Sequence, residues 1–171
     1  MTAADGDPHI GLVVEGPGDA KALPLLLRRV MESRGDYRDL LGKPARCNGR
    51  DRALVPRGIE SYVSIVTARP GCQAVLIVLD SEGDPVCQLG PKLLKRAKET
   101  TRLPVAVCLA DRYWEDWLHA SIETLQLGDL KYSEASRGSS IIVNALRPRK
   151  YVKPTWQPRL TARVDITLAV G

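Results

Sequence analysis

Carboxylates recur in this 171-residue chain where its apolar runs stop. The run His9–Val14 stops at Glu15. The run Gln73–Leu79 stops at Asp80, with Glu82 and Asp84 at every second position after it. The run Pro104–Ala110 stops at Asp111, and Glu115 follows one helical turn later. An acid at the end of a buried strand costs desolvation energy unless a counter-charge meets it. A hard divalent cation, Mg²⁺ or Mn²⁺, meets that need, because it takes oxygen ligands and keeps several waters. In an extended loop the alternation Asp80-x-Glu82-x-Asp84 sets its carboxylates on one side, two or three of them for one ion. Read as local chemistry, the same Glu-Gly-Asp-Pro stretch is an ordinary solvated turn.

A second candidate, Gly16-Pro17-Gly18, fails as a nucleotide motif. A phosphate-binding P-loop needs Gly-Lys-Ser/Thr after four intervening residues, and here Lys21 follows Ala20. A dinucleotide fingerprint needs a third Gly or Ala, and Lys21 holds that place. What remains is a turn with free backbone N–H groups near a helix start, a modest phosphate-friendly feature.

For the acids to share an edge, the runs that carry them must be neighbouring strands. Periodicity predicts strands over 9–14, 73–80 and 104–110, with a short strand at Pro44–Asn48. Between them fall helices. One ends near Arg34 with Leu23, Leu26, Leu27 and Val30 inward, and Pro24 either delays or kinks it. Others cover Pro56–Ala68, Gln88–Thr101 and Tyr113–Leu127, the last with Trp114, Trp117, Leu118, Ile122 and Leu125 on one face. Strands alternating with helices predict an α/β fold, a mostly parallel sheet of about four strands with helices on both faces. Ligands of such sheets bind outside the carboxyl ends of the strands. Residues 1–8 read as a flexible N-terminus and 9–127 as the core. Residues 128–171 read as a basic extension packed on or flanking that core. The periodic run Leu160–Val170 suggests either a truncated chain or a helix docked on the domain.

Composition narrows the class. Apolar residues make up 44% and charged residues 26%, so global disorder is excluded. Phe is absent, and Leu and Val must build the core. No apolar run approaches the roughly 20 residues that span a bilayer, so no membrane role is expected. Met1–His9 is polar and acidic, the opposite of a secretory leader. Cys47, Cys72, Cys87 and Cys108 form no Cys-x-x-Cys pair and fit no zinc spacing. They read as reduced, mostly buried thiols, and the expected location is cytoplasmic.

Two of these segments together resemble the Toprim domain of topoisomerases, bacterial primases and small nucleases. Val13-Val14-Glu15-Gly16-Pro17-Gly18-Asp19 resembles its glutamate motif. Leu76-Ile77-Val78-Leu79-Asp80-Ser81-Glu82-Gly83-Asp84 resembles its Asp-x-Asp-x-Asp motif, with Glu82 in place of the middle Asp. The likeness spans roughly residues 9–127. It is similar to the OLD-nuclease-like branch, whose acidic-aromatic helix resembles Trp114-Glu115-Asp116-Trp117-Leu118. The resemblance implies Mg²⁺-dependent phosphoryl transfer. It makes Glu15 the general acid/base or a ligand, sets Asp80 and Glu82 on the ion, and makes Asp84 a third contributor. Asp19 and Glu115 would hold a second ion. His119, four residues after Glu115, reads more readily as a surface residue than as a member of that set. A topoisomerase or primase would need further modules that the chain has no room for. A nuclease acting alone or with an ATPase partner in anti-phage defence is what the resemblance leaves. The alternatives are a non-catalytic Toprim-like module that binds nucleic acid or a partner, and a small RNA-maturing ribonuclease.

The net charge of +5 is placed rather than diffuse. Residues 137–163 hold Arg137, Arg147, Arg149, Lys150, Lys153, Arg159 and Arg163 and no acid. Residues 28–57 hold nine basic and four acidic residues, among them Arg46, Arg50 and Arg52. Residues 80–134 hold ten acidic and seven basic. An acidic centre between basic segments suits a metal at the centre and phosphates along the rims. Arg46, Arg50, Arg52, Arg147, Arg149, Lys150 and Lys153 are the expected nucleic-acid contacts, DNA ahead of RNA. Tyr151 and Trp156 interleave the later segment and are candidates to stack on bases. The plainer reading of that segment is a solvated basic tail with two core aromatics.

Overall fold

An unbroken apolar run has no polar face to offer water, so within a sheet it becomes a strand buried on both sides, as at 12–14 and 77–80, whereas the run 105–110 leaves Ala106 and Cys108 exposed. The computed structural model describes residues 6–167 of the chain. In it the runs form His9–Val14 (β1), Cys72–Asp80 (β3) and Val105–Ala110 (β4), and the two residues Ala45–Arg46 form β2. The sheet is four-stranded and all parallel, in the order β2-β1-β3-β4. In the centre β1 runs beside β3 with Leu12 opposite Leu76 and Val14 opposite Val78, while Val14 also meets Arg46 of β2.

Seven helices complete the α/β fold among the described residues: Pro17–Ser33 (α1), Arg50–Leu54 (α2), Gly58–Thr67 (α3), Val86–Thr100 (α4), Trp114–His119 (α5), Gly138–Ala145 (α6) and Lys153–Thr161 (α7). None is long and apolar enough to cross a membrane. The chain divides into two compact units. One comprises the residues up to Gly16 with Arg38–Leu109; the other comprises Pro17–Tyr37 with the residues from Ala110 on.

The first unit holds the sheet with α2, α3 and α4. On one pleat Val13, Val75, Ile77 and Leu79 join Ile59, Val63 and Val66 of α3 and Leu93 and Ala97 of α4 in a single buried cluster. Leu12, Val14 and Val78, on the opposite pleat, are buried as well. Arg96 of α4 ties this unit together. It donates through Nε and Nη2 to both carboxylate oxygens of Glu60, each at 2.7 Å, and also to the carbonyls of Leu54 and Val55. The helix expected over Pro56–Ala68 begins at Gly58 instead, and a separate short helix precedes it. Pro56 and a left-handed Arg57 (φ 63°) break the two apart. At Gly58 a Cβ would strike the carbonyls of Arg52 and Ala53, so the link between the helices requires a glycine.

The second unit is helical. Its α1 runs through Pro24 from a start at Pro17, where the fixed φ suits a first helical turn. Helix α7 packs along α1, and α6 packs on α5. The helix expected over Tyr113–Leu127 ends at His119, and a 3-10 turn covers Ile122–Thr124. Side chains explain the break. Ser121 Oγ lies 2.7 Å from Thr124 Oγ1 and accepts from Asp165 N. The Thr124 hydroxyl also donates to the Ser121 and Arg163 carbonyls. Such bonds offer the backbone an alternative to the helix ladder. The periodic run Leu160–Val170 is not a helix of its own: α7 stops at Thr161, and Leu168–Val170 lie outside the described residues.

Candidate functional site

In the first unit the acids stand where parallel-sheet ligands bind. Glu15 directly follows β1. Its carbonyl accepts from Gly49 N at 3.3 Å, and the Val14 carbonyl accepts from Cys47 N at 2.8 Å. These bonds hold the 47–49 loop across the end of β1. Asn48 and Gly49 are both left-handed (φ 55° and 121°), and this double reversal delivers Arg50 as the first residue of α2. Asn tolerates that conformation better than most residues because its short polar chain bonds locally. The Cys47 thiol is pushed up to about 12, first by burial and then by the Glu15 carboxylate.

Asp80 ends β3 and is buried, as is Ser81. The chain then turns rather than extends. Glu82 and Gly83 are left-handed (φ 54° and 97°), and Asp84 N donates to the Ser81 carbonyl at 3.0 Å. The turn brings Glu82 and Asp84 to Arg50, whose side chain is only 8% exposed. Arg50 Nη2 donates to Asp84 Oδ2, and Nη1 lies 3.7 Å from Glu82 Oε2 and 3.8 Å from Asp51 Oδ1. Of the basic residues expected to face nucleic acid, Arg50 is therefore held by acids, while Arg46 and Arg52 are exposed.

In the second unit, α7 meets two further candidates. Asp19, buried in the first turn of α1, accepts from Gln157 Nε2 at 2.7 Å. Buried Glu115 accepts from Tyr151 Oη at 2.6 Å and has Lys153 Nζ at 4.0 Å. Lys153 and Gln157 are four apart, one face of α7. Gly18 allows the approach, since a Cβ there would strike Gln157 Oε1. Asp116 caps α5 by accepting from Tyr113 N and also accepts from Gly138 N at 2.9 Å, fixing the start of α6.

His119 is not a surface residue. It is 2% exposed, its ring lies 5.0 Å from that of Tyr132, and its Nε2 has no hydrogen-bond partner. It lines a polar cavity of about 530 Å³ with Asp111, Arg112, Asp116 and Arg137. Arg147, Arg149 and Lys150 are exposed. Arg149 and Arg159 each place a guanidinium over the Trp156 ring, 5.6 Å from its centre. Tyr151 is turned instead to Glu115.

Among the described residues no group of three His, Cys, Asp or Glu side chains is gathered as a metal cluster. Sequence reasoning missed Gln157 as the partner of Asp19, because the two are 138 residues apart and no local period links them. It also assigned Arg50 to an outside ligand; no local signal separates it from Arg46 or Arg52, because Glu82 and Asp84 reach it only through the turn after β3. No family model, curated protein or solved structure matches the chain.

Proposed function

We propose that the carboxyl edge of β1 and β3 is a phosphoryl-transfer site of Toprim type that hydrolyses nucleic-acid phosphodiesters. The observation that carries this reading is the placement of Glu15 and Asp80. They end the two central, directly paired strands, with Val14 opposite Val78. Neighbouring strands lie about 4.8 Å apart. Glu15 comes level with Leu79 and Asp80 stands one residue further on, so the two acids would share an ion only where the loop after Val14 turns the Glu15 side chain to the Asp80 side of the sheet. The donor chemistry fits Mg²⁺ or Mn²⁺. Mg²⁺ usually takes only one or two carboxylates plus waters and substrate phosphate, so a three-acid cluster is not required. Glu15 and Asp80 would hold the ion, with Glu82 joining them. Bound there, it would supply the positive charge that polarises a phosphoryl oxygen. Arg50 keeps Glu82 and Asp84 in place and offsets their mutual repulsion. The resemblance suggests the setting as well: the cytoplasm, DNA ahead of RNA, and a partner ATPase in anti-phage defence.

A second reading is favoured by Arg50 itself. A guanidinium already seated on Glu82 and Asp84 does the work of a cation at those two acids. The site would then be the remnant of a nuclease, and the protein a module that binds nucleic acid or a partner without turnover.

The test incubates the full chain with plasmid DNA and with structured RNA, in Mg²⁺ and in Mn²⁺, beside Glu15→Gln and Asp80→Asn. Metal-dependent cleavage that falls at least a hundredfold in both variants supports the first reading. Cleavage that survives both sinks it. Retained binding with no cleavage in either metal selects the module.

A further inference from the structure

Three arginines line one cavity of the second unit, and no acid does. The cavity, about 710 Å³, lies between the end of α6, the stretch Gln126–Leu127 and α7. Arg149, Arg159 and Arg163 supply its charge, Leu127 and Leu146 its apolar surface, and Trp156 its ring. The arrangement is held from within the unit. Trp156 Nε1 donates to the Lys150 carbonyl at 3.1 Å, and Arg163 Nη1 donates to the Leu125 carbonyl at 3.0 Å. Arg149 and Arg159 both lean on the Trp156 ring, which limits the rotamers they must give up on binding.

Like charges gathered in a concave surface focus the field and concentrate counter-ions. The whole stretch 137–163 has seven basic residues and no acid of its own; Glu115 meets Lys153, whereas the cavity that Arg149, Arg159 and Arg163 line has no acid in its lining. The ligand that suits this cavity is a polyanion. The aromatic ring and the guanidinium planes decide which. A nucleic-acid strand offers phosphates and flat bases in alternation, whereas an acidic peptide offers carboxylates and no flat faces. In a duplex the bases are stacked away from such a ring, while an unpaired strand can turn one out onto it.

We propose that this cavity seats single-stranded nucleic acid, with phosphates on Arg149, Arg159 and Arg163 and a base against Trp156. The proposal deepens the phosphodiesterase reading and rests on it for its biological sense, but it does not require cleavage. Of the seven residues expected to contact nucleic acid, Arg149 lines the cavity; Arg159 and Arg163, of the same basic stretch, line it with Arg149.

Fluorescence anisotropy on the full chain, without divalent metal, tests the idea with labelled 20-residue single strands, a duplex of the same length and a poly-glutamate peptide. The variants are Arg149→Gln with Arg159→Gln, Trp156→Leu, and Trp156→Phe as the ring-preserving control. Circular dichroism checks that each is folded. For single strands the double variant should raise Kd at least tenfold. It should also lower the slope of log Kd against log salt by about 1.4, the value for two lost phosphate contacts. Trp156→Leu should raise Kd between about fivefold and a hundredfold, and Trp156→Phe should restore most of it. An unchanged Kd in the double variant overturns the proposal. So does poly-glutamate binding as tight as the single strand, or a preference for the duplex. Binding that behaves as expected in a protein that never cleaves removes only the nuclease reading. Cleavage that persists in the folded double variant, with its Kd unchanged, removes only the seat.

Discussion

Replacing Arg50 with Met deletes the guanidinium while keeping an unbranched apolar side chain. The buried cation leaves, and Glu82, Asp84 and Asp51 lose a shared partner. Removing one side of a fully buried pair costs about 3–5 kcal/mol. Here Glu82 and Asp84 are 42% and 55% exposed, so water takes over much of their solvation. The expected loss falls to about 1–2 kcal/mol, between buried and surface pairs. Asp84→Asn alone should cost about 1 kcal/mol, since Arg50 keeps its other acids. Together the two changes should cost less than their sum by about 1 kcal/mol. Urea denaturation of the four proteins at pH 7 measures this cycle. Additivity to within about 0.3 kcal/mol would refute the coupling. A second arm adds 1 mM Mn²⁺. Arg50→Met leaves Glu82 and Asp84, the two acids of the turn, without their cation, so the metal should restore stability in that variant and do so less when Asp84 is also Asn. No metal response in either protein would refute the view that Arg50 stands in a cation's place.

Glu60 is held below the ordinary carboxylate range, first by its hydrogen bonds from Arg96. A lowered folded-state pKa contributes stability that is present above the unfolded value, near 4.5, and lost as pH falls below it. Glu60→Gln should therefore cost about 1–2 kcal/mol at pH 7, and its urea midpoint should converge with wild type as pH drops under 4.5. A thiol count with an aromatic disulfide reagent at pH 8 should find Cys87 reacting first and Cys108, raised by burial, more slowly. Cys47 and Cys72 should react only on unfolding. Gly138→Ala places a Cβ 2.8 Å from that of His119 and 2.9 Å from Asp116 Cα, and should lower stability by about 1–3 kcal/mol in a thermal melt. Tyr151→Phe leaves the buried Glu115 short of its 2.6 Å donor and should cost about 1.5–3 kcal/mol by the same measurement.

The sequence by itself determined the α/β class, the three longer strands and which acids end them. The reason is local: a β-branched run that stops at a carboxylate marks a buried strand and its polar end without reference to the rest of the chain. It also located the acid-free basic stretch, because charge is a property of composition. Helix ends were less legible. The break after His119 depends on Thr124 finding a carbonyl and Ser121 an N–H some 40 residues away, and no window of the sequence contains those partners. What the candidate residues face was decided only by the tertiary structure. Arg50 could serve a phosphate or an acid equally well by type; the turn at Glu82–Gly83 brings two carboxylates to it. Asp19 could hold an ion by type; α7 brings Gln157 to it. A side chain's chemistry is written in its identity, but its partner is set by chain closure over long separations, and a linear pattern carries no information about that.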